Sequence, residues 1–224
     1  MNDIIDVLIL ANTANVDYYK LLKKCITSIK NSVDVTTVIT LVESNSKLEN
    51  KNLKELLPID NIVFPKQTFN YNKFLNIGLK ECNNEKILIT NNDVFYENDT
   101  LKILTSHLSD YDSVSPWDIR TTPLLYKQRG IYEGYDTSRH IAGYSILTTR
   151  SVINTIGGFD ERFTFWYADD DYALSLKANN LKHALIGHAS VLHGFEKSHS
   201  LFDDEERRKR TYGSREIFLN KWGL

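Results

Sequence analysis

The feature that most constrains this chain is a regular alternation, over its first part, of short apolar runs with segments of helical periodicity. The apolar runs contain β-branched residues and end in turn-forming residues, which is typical of strands covered on both faces. Such strands are predicted at 6–12, 36–42, 62–64 and 87–90, with helices between them at 16–29, 50–57 and 73–82. This alternation predicts an α/β fold, a Rossmann-like domain whose mostly parallel central sheet carries helices on both faces.

The chain of 224 residues is long enough for one sizeable domain with its own core. No internal repeat or low-complexity linker divides it, so we predict a single domain made of two halves. The halves are predicted at residues 1 to about 95 and 96 to about 200, and residues 201–224 form a final helix. In the second half, helices are predicted at 100–108, 150–156, 170–179 and 203–222, and strands at 140–148, 185–186 and 190–193.

One segment, 116–139, is polar, aromatic and irregular. A stretch of this length without regular structure is uncommon in a compact domain and is often functional. It is therefore predicted to be a substrate-binding loop.

The composition excludes several classes of protein. The net charge is −2, so no field over the whole chain attracts nucleic acid or membrane surfaces. A basic run at 207–210 adjoins acidic residues and indicates a solvated helix face. The two cysteines, Cys25 and Cys82, lack metal-ligand spacing, which favours buried free thiols in a reducing compartment. Without a basic leader or an apolar run of about 20 residues, we expect a cytoplasmic protein with no transmembrane segment.

Three predicted strands end in polar residues, namely Asn12, Glu43 and the run that closes on Asp93. Ligands of open parallel sheets bind beyond the carboxyl ends of the strands, so these side chains are expected to converge on one crevice. Asp93 directly follows a buried strand, and hard cations such as Mg²⁺ or Mn²⁺ prefer oxygen ligands. The alternative is a simple turn, because Asn and Asp dominate turns.

An acidic cluster, Asp169, Asp170 and Asp171, follows an aromatic run. Three adjacent carboxylates repel one another, which raises at least one pKa unless cations or N–H donors lie nearby. An acidic helix N-terminus is the ordinary alternative, because the helix would supply those N–H groups. The aromatic residues before the cluster, including Trp166 and Tyr167, favour the wall of a pocket.

His193 ends a predicted strand and is a further candidate ligand, since imidazole commonly binds metals. The alternative is a polar surface histidine or a satisfied core histidine. The remaining histidines have weaker sequence contexts and receive no role.

The order of these motifs resembles that of the GT-A glycosyltransferases, specifically the inverting family 2. Residues 7–12 are similar to the opening strand, 42–46 to the V-D-N-x-S segment, and 76–78 to the N-x-G before the metal strand. Residues 90–93 resemble the L-N-N-D form of the D-x-D motif, 157–161 match G-G-F-D-E, and 168–172 are similar to E-D-x-D-L. His193 is similar to the late metal-binding histidine, and the resemblance covers about residues 5–195.

Three positions depart from the family pattern. Glu43 stands in place of Asp, Ala168 in place of Glu, and Tyr172 in place of Leu. Ala168 leaves open the register of the acidic motif, and with it the identity of the catalytic base.

The resemblance implies that a nucleoside-diphosphate sugar, UDP-, dTDP- or GDP-linked, binds across the carboxyl edge of the sheet. Asn12 and Glu43 would hold the nucleoside, and Asp93 and His193 would hold Mn²⁺ or Mg²⁺ against the diphosphate. The donor-site residues that it implies are Asn12, Glu43, Asn76, Asn92 and Asp93.

On the acceptor side, the resemblance implies Asp169 as the general base that prepares an acceptor hydroxyl for inverting attack. Asp171 would assist by orienting the acceptor or the Asp169 loop. The implied acceptor-binding residues are Trp166, Tyr167 and Asp170. A loop closing over the donor would include Trp117, Arg120 and Arg129.

Two rival functions remain open: a sugar nucleotidyltransferase and a non-catalytic module that binds a nucleotide sugar. The loop at 12–15 lacks the Gly and basic residues that cradle a triphosphate, which disfavours the first. Ala168 is the best support for the second. The acceptor is also open, between a glycan, a lipid-linked sugar, a protein side chain and a modified base in DNA. The last is included because heavy use of Lys, Asn and Ile indicates an AT-rich genome, as in phages with small transferases, whose site of action would be the host cytoplasm.

Overall fold

A computed structural model describes residues 3–49, 52–120, 130–137, 139–194 and 204–224, and in the last helix it describes side chains from residue 213 onward. In the first half, strands alternate with helices: β1 (Asp3–Ala11), α1 (Val16–Lys30), β2 (Val35–Glu43), α2 (Leu53–Leu56), β3 (Asn61–Val63), α3 (Tyr71–Leu79) and β4 (Lys86–Asn91). β1 pairs in parallel with both β2 and β4, and β2 pairs in parallel with β3. The predicted alternation and parallel pairing are confirmed here.

The second half contributes β5 (Val94–Tyr96), α4 (Thr100–Ser106), β6 (Ser113–Asp118), β7 (Ile131–Glu133), β8 (Ser145–Thr149), α5 (Arg150–Ile156), α6 (Ala168–Ala178), β9 (His183–His193) and α7 (Asp204–Trp222). Over the described residues the strands form one sheet in the order β3-β2-β1-β4-β8-β6-β9-β5, with β7 paired to β9. β8 runs antiparallel to β4 and β6, whereas β9 is parallel to β6. Parallel pairing therefore dominates the first half, and the second half is mixed.

The core lies on both faces of this sheet, as the sequence predicts. Alternate residues of β1 serve different faces, since Ile5, Val7 and Ile9 belong to one apolar cluster and Leu8 to the other. The first cluster includes the buried face of α1, and the second includes residues of α3, α5 and α6. A continuous apolar run suits a strand that is covered on both sides.

Gly78 lets α3 lie close against the sheet. A Cβ atom at this position would lie 2.2 Å from Leu8 Cδ1 and 2.7 Å from Val42 Cγ2, distances that side chains do not tolerate. The glycine of the N-x-G segment thus has a packing role, because it brings a helix into contact with β1 and β2.

The two cysteines are buried and unpaired, as expected. Burial raises the pKa of both thiols, that of Cys82 to about 12. Neither thiol is therefore ionised at neutral pH.

Several predicted boundaries differ from the structure. The strand predicted at 140–148 begins only at Ser145, and the segment 116–139, predicted to be irregular, contributes to β6 and contains β7. β6 is poor in apolar residues and includes Pro116, which lacks a backbone N–H. It is a strand because β8 and β9 flank it, and its register with β9 shifts between Pro116 and Trp117. Neighbouring strands, rather than local propensity, decide this element.

Within the part of the chain that the structure describes, no helix has both the length and the hydropathy required to cross a membrane.

Candidate active site

The loop after β1 is held to the end of β2 by the carboxylate of Glu43. Thr13 donates from its hydroxyl to Oε2 at 2.6 Å and from its backbone N–H to Oε1 at 3.1 Å, and the N–H of Asn45 donates to Oε1 at 2.7 Å. Burial raises the pKa of Glu43, and these hydrogen bonds lower it in part. Glu43 is fully buried, whereas Asn12 on the same loop is exposed. The structure thus places Asn12, and not the Glu43 carboxylate, on the surface at this edge of the sheet.

Asp93 and His193 are brought together at the carboxyl end of β4. The imidazole Nε2 of His193 lies 3.4 Å from Asp93 Oδ1. This follows from strand pairing, because Val94 at the start of β5 lies opposite His193 at the end of β9. The N–H of Gly194 donates to the carbonyl of Asp93 at 2.6 Å, and a Cβ on Gly194 would lie 3.0 Å from that oxygen. The backbone therefore fixes both side chains.

This pair fits a divalent cation such as Mn²⁺ or Mg²⁺. Two ligands each about 2.1 Å from one ion lie about 3.0 Å apart at neighbouring octahedral positions, close to the observed separation. A carboxylate and an imidazole are acceptable donors for these ions. Among the described residues, no group of three or more His, Cys, Asp or Glu side chains could hold a metal. A cation at this pair would take its other ligands from water or from a substrate, as Mg²⁺ does when it binds phosphates.

Asp118 is a residue of this region that the sequence reasoning missed. It ends β6, is fully buried, and accepts from the N–H of Arg120 at 3.1 Å and from the N–H of His193 at 3.4 Å. The Arg120 guanidinium in turn donates to the carbonyl of His193. An aspartate at the carboxyl end of a strand would have been a signal, but the strand itself was not predicted.

The predicted closing loop is only partly described. Trp117 and Arg120 lie at the end of β6 and just beyond it, next to the end of β9. Arg129 lies outside the described residues. The basic run at 207–210 belongs to α7, but its side chains also lie outside the described part.

The three aspartates of the acidic motif point in different directions. α6 begins at Ala168, directly after Tyr167, which adopts a left-handed backbone with φ of 64°. Asp170 accepts from the hydroxyl of Thr137 at 2.7 Å. Asp171 is 3% exposed and accepts from Trp222 Nε1 and Lys221 Nζ, each at 2.9 Å.

Asp169, like Asp170, is half-buried. Gly143 packs against its carboxylate so closely that a Cβ there would lie 2.8 Å from Oδ2. The next residue, Tyr144, stacks on the His193 ring with a centroid distance of 4.3 Å. Burial and the charge of Asp170 raise the pKa of Asp169. Adjacent loop residues thus connect Asp169 with the Asp93–His193 pair.

The aromatic residues before α6 pack against two different helices, α3 and α7. Trp166 is half-buried and lies edge-on to Phe165 at 5.4 Å, and Phe165 lies edge-on to Tyr71 at 6.3 Å. Burial and the charge of Asp169 raise the pKa of Tyr71, so this row passes beside Asp169. Tyr167 instead packs on Phe218 of α7 at 5.0 Å. Of the two predicted acceptor-binding residues, Trp166 belongs to the row beside Asp169, whereas Tyr167 contacts α7.

Asn76 differs from its predicted role at the donor site. Its amide nitrogen donates to the carbonyl of Phe159 at 2.8 Å and its amide oxygen accepts from the N–H of Phe159 at 3.0 Å. The same nitrogen donates to Glu161 Oε1 at 3.1 Å. The amide therefore anchors the G-G-F-D-E loop on α3, and we do not include Asn76 among donor contacts. Asn92 is half-buried in the turn before Asp93, where the sequence predicts donor contact.

His183 is a satisfied core histidine. Its Nδ1 lies 2.9 Å from Ser113 Oγ and its Nε2 lies 3.1 Å from the carbonyl of His140. Burial lowers the pKa of His183 to about 3, so it is neutral.

The fold is similar to that of S. aureus TarS. A crystal structure of S. aureus TarS superposes with a TM-score of 0.58 at 11% identity, over 81% of this chain and 36% of that chain. A crystal structure of S. aureus TarS 1-349 superposes with a TM-score of 0.59 at 12% identity, over 81% of this chain and 60% of that chain. The chain thus spans 36% and 60% of the lengths of these two structures, and identities this low show a shared fold alone.

The likeness confirms the predicted GT-A-like α/β domain. No protein-family profile and no curated protein sequence matches the chain.

Proposed function

We propose that this protein is an inverting glycosyltransferase, which moves a sugar from a nucleoside diphosphate to an acceptor hydroxyl. The observation that best supports the proposal is that the structure connects a candidate metal site with a candidate general base. The Asp93–His193 pair lies at the carboxyl edge of the sheet, and Asp169 is connected to it through Gly143 and Tyr144. The GT-A-like fold, which is similar to that of S. aureus TarS, supports the proposal at the level of the fold.

The donor would lie along the carboxyl ends of β1, β2 and β4. Asn12 is exposed there and would contact the nucleoside directly. The buried Glu43 carboxylate holds the Asn12 loop in place through its hydrogen bond with Thr13. Asp93 and His193 would hold Mn²⁺ or Mg²⁺ beside the diphosphate. When bound, such a cation acts as a Lewis acid that neutralises charge developing on the leaving diphosphate.

Asp169 would act as the general base. Its carboxylate accepts the proton of the acceptor hydroxyl while that oxygen forms a bond to the anomeric carbon. The bond from this carbon to the diphosphate oxygen breaks on the opposite face, and its electron pair leaves with the diphosphate. This single displacement inverts the anomeric configuration. Half-exposed Trp166 would place its ring against the acceptor.

Ala168 gives little support to the rival proposal of a non-catalytic binding module. Its side chain is buried in an apolar cluster with Phe163 and Phe218. A glutamate there would have to bury its charge among these rings, which is costly. Local packing thus gives a structural reason for an alanine at position 168.

A ligand screen followed by a product assay tests the proposal. UDP-, dTDP-, GDP- and CMP-sugars are each added with and without Mn²⁺, and the unfolding temperature is recorded. A ligand that binds the folded state raises it in proportion to the logarithm of its concentration over Kd. We expect one nucleotide to give a metal-dependent increase. The matching donor is then incubated with glycan and modified-DNA acceptors, and the product is detected by mass spectrometry.

Binding without transfer to any acceptor and without donor hydrolysis would favour the binding module instead. Absence of any metal-dependent shift would contradict the proposal at its first step.

A further inference from the structure

The last turn of α7 packs on the first turn of α6, where the proposed base lies. Lys221 Nζ lies 2.9 Å from Asp160 Oδ2 and 2.8 Å from Asp171 Oδ1. Trp222 donates its indole N–H to Asp171 Oδ1 at 2.9 Å. Residues far apart in the sequence thus meet around a single carboxylate, that of Asp171.

Lys221 balances two carboxylates in a largely enclosed cluster. The side chains of Asp171, Asp160 and Lys221 are only 5%, 18% and 23% exposed. Asp160 has a second cation in Arg162, which lies 2.6 Å away, but Lys221 is the cation that contacts Asp171 among the described residues. Burial raises the pKa of Asp171, and Lys221 lowers it in part. A buried carboxylate that loses its cation either takes up a proton or moves towards water.

Apolar contacts fix the same junction. Phe218, one turn before Trp222, packs on Phe163 with a centroid distance of 6.3 Å and on Tyr167 at 5.0 Å. Tyr167 immediately precedes α6. α7 therefore contacts both the residue before the helix and a residue within its first turn.

We propose that Lys221 and Trp222 are positioning residues, which hold the first turn of α6 through Asp171 and thereby set the place and the charge state of Asp169. The inference rests on the proposed function, since it gives Asp169 the role of base. It also assigns Asp171 to the support of the site rather than to contact with the substrate.

The charges around Asp171 also act on the carboxyl group of Asp169. Asp169 is faced by Asp170 on its own helix and by the Tyr71 hydroxyl from α3. Asp171, two residues further along, would add an uncompensated like charge if Lys221 were removed, whereas Asp160 would keep its ion pair with Arg162. Like charges raise the pKa of a carboxyl group, so fewer Asp169 side chains would be ionised at a given pH.

The test compares Lys221→Met with the wild-type protein in the transfer assay. We expect kcat to fall roughly tenfold or more, because displacement of a catalytic group by about 1 Å can cost a hundredfold in rate. The acidic limb of the pH profile should move to higher pH, and the KM for the donor should stay unchanged because Asp93 and His193 lie elsewhere. Lys221→Arg should restore most of the rate.

A charge-balanced double variant, Lys221→Met with Asp171→Asn, serves as the matched control. It removes one cation and one anion together, and the new amide can still accept from the Trp222 indole. We expect it to return the acidic limb towards its wild-type position. Thermal unfolding must show each variant to be folded at the assay temperature.

A ¹³C NMR titration of the Asp169 carboxyl group, assigned by difference with Asp169→Asn, gives a readout that needs no activity. A higher Asp169 pKa in Lys221→Met than in the wild type supports the inference even if the proposed reaction fails. A folded Lys221→Met protein with an unchanged Asp169 pKa and an unchanged pH profile would overturn it, whatever the wild-type activity.

Discussion

The proposed donor side and the proposed acceptor side of this molecule position their polar residues by different means. On the donor side, Asn12, Glu43 and Asp93 each follow or end a strand in a continuous parallel ladder. On the acceptor side, Asp169 lies in the first turn of a helix, and α7 holds that turn through Asp171. The first arrangement depends on regular backbone pairing between adjacent parallel strands. The second depends on a few side-chain contacts between distant segments, so it should be the easier one to disturb without unfolding the protein.

The largest expected effect separates the transfer step at Asp169 from donor binding at Asp93 and His193. Asp169→Asn should lower the transfer rate by roughly 10²- to 10⁴-fold, because the amide cannot accept the acceptor's proton. Donor binding, measured by calorimetry, should be unaffected, because the donor side is intact. The control is Asp17→Asn, an exposed aspartate in the first turn of α1. Loss of donor binding in Asp169→Asn would remove the distinction between the two halves.

The converse change should affect binding first. Asp93→Ala removes the carboxylate that lies beside His193, and we expect metal-dependent donor binding to weaken at least about tenfold, or 1.4 kcal/mol. Calorimetry with and without Mn²⁺ measures the change. Asp99→Ala is the matched control, because Asp99 is exposed and makes no side-chain cap of α4. Equal donor affinity in Asp93→Ala and the control would contradict the metal site.

A third change tests whether α3 packs closely against the sheet on the proposed donor side. Gly78→Ala places a methyl group 2.2 Å from Leu8 Cδ1, and overpacking of this kind should lower the free energy of unfolding by about 1–3 kcal/mol. Chemical denaturation measures it. Gly213→Ala in α7 has no heavy atom within 4 Å of the new Cβ, and it should instead stabilise by about 0.5–1 kcal/mol. Equal effects at the two positions would show that α3 does not pack closely against the sheet.

The smallest expected effect is a pH dependence confined to the acceptor side. Burial and Asp170 raise the pKa of Asp169, and a base works only when ionised, so transfer should rise with pH through a midpoint above that of an ordinary aspartate. The stability contribution has the opposite sign. It is fully present below the unfolded pKa and is lost as pH rises through the raised folded pKa. A pH–rate profile together with unfolding curves across the same range checks both signs. A rate that rises only below the usual aspartate pKa would exclude Asp169 as the base.

The sequence predicts the fold of the first half of the chain well because its signals are local. Short β-branched runs, turn residues at their ends and helical periodicity all lie within a few positions of one another, and the parallel order follows from the crossover rule. Asn76 shows the limit of motif reasoning, since its place in a familiar segment suggests donor contact. In the structure its amide anchors the loop at 159–161, which only the fold brings to α3.

The acceptor side was less predictable for a physical reason. β6 has weak strand propensity and β7 has only three residues, so no local pattern marks them. Pairing stabilises them, of β6 with β8 and β9 and of β7 with β9, and Asp118 at the end of β6 was missed. The acidic motif was found, but its three carboxylates look equivalent in a sequence. Contacts with Thr137 and with Lys221 and Trp222 distinguish them.

By itself the sequence determined the α/β class, the parallel first half, the two-sided core and the candidate residues Asp93, Asp169 and His193. These follow from periodicity, from turn chemistry and from the resemblance of ordered motifs. Only the tertiary structure decided that Asp93 lies beside His193, that Glu43 faces inward, and that Asp171 pairs with Lys221 rather than with solvent. Each of these is a contact between segments distant in the chain, and its geometry depends on the packing of the whole domain.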